Sequence, residues 1–412
     1  MARPPRDRGH TGRDPALAPG DRERRPRWRR WLMGVVAVLV VALLAGVGVT
    51  SWRFSSDVVV PDHDGAPYEL DVRAVQPGQV AITRDDYTDR PGVYGLEWHG
   101  GHAILGRVVA RDADTVTRRA RAIRGELHEG ESARLDANVF HGTPRSARGL
   151  PFRSVEVPGE LGPMPGWRIG DRSDTWAIFV HGINGDKIAG LRIAPALRAA
   201  GLTSLLISYR EDIGAPPSPD GKHHMGLTEW HDLEAAARLA VDSGARRLVL
   251  IGYSMGGAIV TQFMERSPLA SRVAAMILDA PALDWDETIE FGAREMGLPG
   301  FAAKPVEWAI GLRIDVDWDR LDALRHTDEL RVPTLLFHGL EDDVVPIETS
   351  AAFARALPDD VTFVRVPHAG HVQSWNVAPA RYEAKVHTFL RSALPTDERR
   401  ARSIRRARPG HP

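Results

Sequence analysis

The 412-residue chain contains no cysteine. That excludes disulfide staples, thiolate zinc sites, iron–sulfur clusters and a thiol nucleophile. Lysine is nearly absent as well. Lys187, Lys222, Lys304 and Lys385 stand against 49 arginines, a bias read as one of base composition rather than function. Aromatic residues reach only 7%, and the net charge of −1 leaves no overall excess of either sign. What remains, 43% hydrophobic and 26% charged residues, is the composition of a folded protein. It excludes a wholly disordered chain, a collagen-like fibre and a multi-span membrane protein. The length suits two or three domains.

Long apolar runs are missing too, with one exception. Trp31 to Val49 is nineteen residues without a charge. As a helix it reaches about 28 Å, close to the hydrocarbon thickness of a bilayer. Trp28 and Trp31 lie at one end and Trp52 and Phe54 at the other, where interfacial anchors belong. Ten arginines precede the run, and Arg53 is the only base close behind it. The positive-inside bias therefore predicts a single-pass anchor over 31–49 in the cell membrane, with a cytoplasmic N-terminus and an extracytoplasmic body. A cleaved signal peptide is the rival reading; its apolar region would be shorter and followed by a small-residue cleavage site.

The near-zero net charge conceals three regions. Residues 1–56 hold eleven arginines and four acids, residues 391–412 seven arginines and two acids, and residues 57–390 35 basic and 48 acidic groups. An acidic body argues against nucleic acid as a partner, because phosphate binding needs a basic face. The arginine-rich arms over 1–30 and 393–412 lack apolar periodicity, and disorder is expected there.

Residues 58–150 carry short β-like runs between turn signals: Gln79–Thr83, Gly92–Trp98 and His102–Ala110, separated by Pro77-Gly78, Pro91-Gly92 and Gly100-Gly101. A small β-rich domain of undisclosed role is expected. Asp62-His63-Asp64 and the pair His99 and His102 are offered as metal ligands by residue type alone. Their spacing is unspecific, and surface turns are the plainer reading.

From about residue 151 to 392 strands and helices alternate, which predicts a mostly parallel sheet covered by helices. Strands are expected over Ser154–Val157, Gly166–Ile169, Trp176–Val180, Thr203–Ser208, Arg247–Ile251, Ala274–Leu278, Thr334–Phe337 and Thr362–Val366. Helices are expected over Ile188–Ala200, Leu227–Ser243, Met255–Arg266, Ser350–Leu357 and Pro379–Leu390. The insertion at about 283–330, with Trp285, Phe291, Phe301, Trp308 and Trp318, reads as a helical cap.

The chemistry concentrates at Gly252-Tyr253-Ser254-Met255-Gly256. The apolar strand RLVLIGY leads into it and the helical GGAIVTQFMER leads out. A sharp strand-to-helix turn needs small neighbours and projects the Ser254 hydroxyl beyond the sheet edge. A neutral hydroxyl needs a base, and the loop after the last strand offers His368 and His371 in HAGH, of which His371 is preferred. The base needs an acid. Asp342 and Asp343 end a strand in HGLEDD, and Asp279 ends another; the spacing from His338 favours Asp342. Two donors for an oxyanion are expected from the backbone N–H groups of Met255 and of Ile183, in His181-Gly182-Ile183-Asn184-Gly185. His181 is read as structural, since a second base has no task there.

Together FVHGINGDK, GYSMGGAIV, HGLEDDVVP and HAGH resemble the α/β-hydrolase superfamily over about 240 residues. Within it the chain looks like membrane-anchored bacterial hydrolases of the esterase and serine peptidase branches. The resemblance implies the α/β-hydrolase fold, a triad of Ser254, Asp342 and His371, and an oxyanion hole at Ile183 and Met255. It also implies hydrolysis of an ester or related acyl bond in a small-molecule or lipid-like substrate, with no metal or organic cofactor. Peptidase and acyltransferase activities share that machinery and stay open; a non-catalytic surface-binding module would leave the triad without a use. The second acid of EDD departs from the commoner pattern, and the resemblance does not reach residues 58–150.

Overall fold

The computed structural model of the protein describes Met1 and residues 27–170 and 173–394. Most of the two arginine-rich arms, and the disorder expected of them, lie outside the described residues. The apolar run lies within one long helix, α1 (Arg27–Val59). It continues ten residues beyond the expected end at Val49, because no proline or glycine interrupts Thr50–Val59 and Pro61 then stops it. Met1–Val49 forms one compact unit and the chain from Thr50 onward forms another. Within the second unit Val59 is buried in the main core, and its carbonyl accepts the His223 N–H (3.0 Å).

The β-rich region is a closed antiparallel barrel of β1 (Leu70–Gln76), β2 (Gln79–Thr83), β3 (Tyr94–Trp98), β4 (Gly101–Arg111), β5 (Thr115–Arg124) and β6 (Ser132–Asp136). Its order is β1-β2-β5-β4-β3-β6. Alternate residues point inward, so that Val72, Val80, Ile82, Leu96, Trp98 and Val116 fill the interior. Closure pairs every strand on both sides, which a small sheet with polar outer positions needs to avoid open edges. A short helix, α2 (Pro144–Arg148), follows the barrel.

The second layer system is an eight-stranded sheet of β7 (Phe152–Gly159), β8 (Gly162–Ile169), β9 (Thr175–Val180), β10 (Thr203–Ile207), β11 (Arg247–Tyr253), β12 (Val273–Asp279), β13 (Thr334–Gly339) and β14 (Val361–Val366). The order is β14-β13-β12-β11-β9-β10-β8-β7, with β8 antiparallel to its neighbours and the rest paired in parallel. Burial on both faces explains the continuous apolar runs of β9, β10 and β11. The helix expected over Ile188–Ala200 is instead a 3₁₀ turn, Lys187–Leu191, followed by α3 (Ala194–Ala199). Pro195 lacks the N–H that a continuous helix would need.

The remaining helices are α4 (Trp230–Asp242), α5 (Met255–Arg266), α6 (Trp285–Glu295), α7 (Lys304–Gly311), α8 (Ile347–Ala356), α9 (Ser374–Val377) and α10 (Pro379–Ala393). One sheet face is covered by α4, α5, α8 and the cap that contains α6 and α7, the other by α3 and α10. Leu283, Trp285, Ile310 and Leu321 join the cap to the main core.

Candidate active site

β11 delivers the chain to the sheet edge and α5 carries it back, with Ser254 between them at φ 53°, ψ −121°. That left-handed backbone is costly for a residue with a side chain, so the surroundings must enforce it. They do so by close approach. A Cβ on Gly252 would lie 2.5 Å from the Gly256 carbonyl oxygen, and one on Gly256 would overlap the Val180 and His181 carbonyl oxygens. The Ser254 N–H donates to the Asp279 carbonyl (3.1 Å), fixing the turn to the neighbouring strand β12.

Two loops converge on the hydroxyl. Ser254 Oγ lies 2.9 Å from His371 Nε2, and His371 Nδ1 lies 2.9 Å from Asp342 Oδ2. The Asp342 side chain is 1% exposed, and its Oδ1 accepts the N–H groups of Val344 (3.0 Å) and Val345 (2.9 Å). Burial alone would raise its pKa. The His371 charge and hydrogen bonds from His338 and His371 outweigh that and hold the carboxyl far below the usual range. His338, fully buried on β13, reaches Asp342 Oδ2 at 3.3 Å and Ser350 Oγ at 2.8 Å.

The other candidates lie elsewhere. Asp343 is exposed. Asp279 is buried and accepts from Ser374 Oγ (2.7 Å), and burial pushes its pKa up to about 6. His368 is exposed and its Nδ1 lies 3.0 Å from Glu341 Oε1. Of the candidate residues, therefore, the structure brings Ser254, His371 and Asp342 together.

The loop after β9 abuts the same turn: a Cβ on Gly182 would stand 2.9 Å from Ser254 Cβ. Ile183 follows it, and Met255 opens α5. The loop's shape is held from behind by His181, which is 1% exposed, with Nε2 2.8 Å from Asp212 Oδ2 and its ring stacked on Tyr209. Burial disfavours the His181 cation, but the Asp212 charge and hydrogen bond win and raise its pKa. Asn184, with φ +51°, accepts the Asp62 N–H (2.9 Å) and lies 3.0 Å from His223 Nε2.

Residues 71–136 match a Domain of unknown function (DUF8805), and residues 213–396 match the Prolyl oligopeptidase family. An esterase of Pyrococcus furiosus superposes with a TM-score of 0.51 at 22% identity, covering 61% of this chain and 94% of that one. An uncharacterised protein of Mycobacterium tuberculosis is 25% identical over 198 residues, 47% of this chain and 62% of that relative. A probable esterase of Oryza sativa subsp. japonica is 30% identical over 106 residues, 26% of this chain and 38% of that relative. The chain thus spans less than two thirds of the curated relatives it matches.

The match of residues 213–396 and the superposed esterase agree on the fold: the sheet and its covering helices have the α/β-hydrolase architecture. The sequence motifs did not reveal what steadies the histidine loop. Arg192 is 2% exposed; its Nη1 donates to Val372 O (2.8 Å), Asn376 Oδ1 (2.9 Å) and Ala137 O (3.3 Å), and the guanidinium lies 5.2 Å from the Tyr253 ring centroid. Asn376 Nδ2 donates to Val93 O and Ala137 O, both at 2.8 Å, and Tyr94 Oη donates to Gln373 Oε1 (3.3 Å). The segment that presents His371 is therefore seated on the barrel. Glu97, Asp136 and His141 lie close enough to share a cation, but Arg134 already pairs with Glu97. The His102 ring packs against that of His141 in a tilted arrangement, with centroids 4.4 Å apart. Asp286, Glu290 and Glu307 surround the Lys304 ammonium.

Proposed function

We propose that the protein is a membrane-anchored serine hydrolase that cleaves an ester or related acyl bond through an acyl-Ser254 intermediate. One observation carries the reading: Ser254 Oγ, the His371 imidazole and the Asp342 carboxylate form a continuous hydrogen-bonded line with links of 2.9 Å. His371 Nε2 takes the hydroxyl proton as Ser254 attacks the acyl carbon. Asp342 holds the tautomer that leaves Nε2 free and stabilises the imidazolium that follows. The N–H groups of Ile183 and Met255 receive the carbonyl oxygen as it becomes an oxyanion, aided by the positive end of α5. His371 then protonates the leaving group, and water repeats the sequence to release the acid. This cycle calls for no metal or organic cofactor. Trp31–Val49 is the anchor, and the arginines before it keep the N-terminus cytoplasmic and the hydrolase outside.

A serine peptidase is the second reading, favoured by the match of residues 213–396 to the Prolyl oligopeptidase family. Labelling the full-length protein with a fluorophosphonate, then assaying ester, thioester and peptide panels, tests both. Covalent label on Ser254 with turnover of esters is expected. Label elsewhere overturns the nucleophile, and turnover confined to peptides overturns the ester assignment.

A further inference from the structure

We propose that the cap face bearing Phe301, Trp308 and Leu312 is a second membrane contact, and that the Ser254 site takes its acyl substrate from the bilayer. This rests on the anchored reading above. Phe301, Trp308 and Leu312 are 74%, 71% and 60% exposed, and Met296 and Leu298 beside them are about half exposed. Trp308 and Leu312 are four residues apart at the end of α7, so they share one helix face. The inward-facing side of the same cap is already packed, with Ile310 and Ala309 buried. A cluster of large apolar side chains left on the outside of a cap calls for a partner.

Chain continuity identifies that partner. Only two residues, Thr50 and Ser51, separate Val49, the end of the apolar run, from Trp52, about 5 Å of helix rise. Trp52 therefore stands at the edge of any bilayer that holds Trp31–Val49. Arg313, next to Leu312, grips this stalk. Its Nη1 donates to Trp52 O (3.2 Å), Ser55 Oγ (2.9 Å) and Ser56 Oγ (2.7 Å), and its guanidinium lies over the Trp52 ring at 4.7 Å. The cap face is thus continuous with Trp52 and Phe54, which are themselves exposed aromatics at the height of the lipid headgroups. The same stalk then reaches the reacting centre. Val59 O accepts from His223, Asp62 N–H donates to Asn184 Oδ1, and Asn184 follows Ile183 in the proposed oxyanion loop. A stalk bonded to both cap and oxyanion loop keeps the site near the membrane surface. The substrate class this favours is an amphiphile with its acyl chain in the lipid and its ester or related bond at the headgroup level.

The absence of cysteine makes the test direct. Single variants Trp308→Cys, Leu39→Cys and Thr388→Cys of the full-length protein are labelled with a nitroxide and placed one copy per nanodisc of phosphatidylcholine and phosphatidylglycerol. Collision rates with oxygen and with a water-soluble nickel chelate are then compared. Leu39 lies in the uncharged run; Thr388 lies on α10, which covers the opposite sheet face from the cap. Oxygen collisions dominating at 308 as at 39, with nickel dominating at 388, support the contact. Nickel dominance at 308 with oxygen dominance at 39 overturns it and leaves the anchor standing. Nickel dominance at both overturns the anchor and the contact together, and protection from both reagents at 308 assigns the face to a protein neighbour. The substrate claim is read separately, as the ratio of turnover of a long-chain fluorogenic ester in the bilayer to that of a soluble butyrate ester. In the double variant W308D/L312D that ratio should fall about tenfold or more. An unchanged ratio overturns the bilayer source of the substrate, and loss of all ester turnover with Ser254 unlabelled counts against the hydrolase reading instead.

Discussion

A serine hydroxyl at neutral pH is a weak nucleophile until its proton has an acceptor, so the value of Ser254 lies in the 2.9 Å to His371. Ser254→Ala removes one hydroxyl from a residue already held by its backbone. The variant should fold normally, lose fluorophosphonate labelling, and turn over thousands of times more slowly, on the order of 10³–10⁴-fold. Persistent labelling of the purified variant would identify another serine as the nucleophile. The acid is the sharper case, because three aspartates were candidates and geometry separates them. Asparagine at Asp342 keeps the shape but presents an amide to Nδ1, favouring the wrong tautomer. Turnover at neutral pH should drop by about 10³–10⁴, whereas Asp343→Asn and Asp279→Asn should each stay within about tenfold of wild type. A mild Asp342→Asn beside a severe change at either other position would reverse the assignment. Asp279 has its own signature, in stability rather than rate. Its carboxyl is buried, and its pKa is pushed up from an ordinary 3.8 to about 6, so between those values the folded chain binds more protons than the unfolded one. Stability from this group is therefore lost as pH rises through that window. Asp279→Asn should unfold at a higher temperature than wild type at pH 7.5, by an amount worth about 1–3 kcal/mol, and no higher at pH 4. Thermal unfolding at both pH values checks this, and an equal shift at the two would contradict it.

Strands and helices were legible where one local pattern decides them. Gln79–Thr83 and Met255–Arg266 have the bounds their sequence periodicity implies, because alternation and helical spacing are properties of neighbours. The strand-to-helix turn was legible for the same reason: its glycines sit within a few residues of Ser254. Gly256→Ala should lose fold and activity together, since its Cβ would overlap two backbone carbonyl oxygens that cannot swing aside. Gly292→Ala, in the middle of α6 with open space where the Cβ would stand, should instead stabilise the cap helix by roughly 0.5–1 kcal/mol. Thermal unfolding of the two variants separates a packing requirement from a merely tolerated glycine. What stayed hidden is what depends on distant partners. Arg192 and Asn376 clasp the His371 loop through carbonyls of Ala137, Val93 and Val372, and no spacing rule links those positions. Barrel closure was hidden likewise, since β1 meets β6 across some sixty residues of chain.

At the scale of the molecule, charge is the property that local structure does not explain. The segments before Trp31 and after Leu390 carry a net excess of arginine, while the body between carries a net excess of acids. For a helix to hold Trp31–Val49 in lipid, one flank must cross the membrane, and moving ten arginines across is far less favourable than moving a folded body with an acidic balance. The anchored reading therefore predicts a direction of insertion, with the N-terminus inside and the body outside. A reporter enzyme that is active only in the cytoplasm, fused to the C-terminus, should give no signal in intact cells, and one active only outside should give a strong one. External protease, once any outer barrier is permeabilised, should cut the body, while a tag placed before Arg3 remains protected. Replacing the arginines at 22, 24, 25, 27, 29 and 30 by glutamine weakens the asymmetry, and a fraction of the chains should then insert the other way, detected as a rise in the cytoplasmic reporter. A strong cytoplasmic signal from the unaltered chain would reverse the topology. Recovery of an externally released chain that begins after Val49 would replace the anchor with a cleaved signal and leave the Ser254 site unaffected.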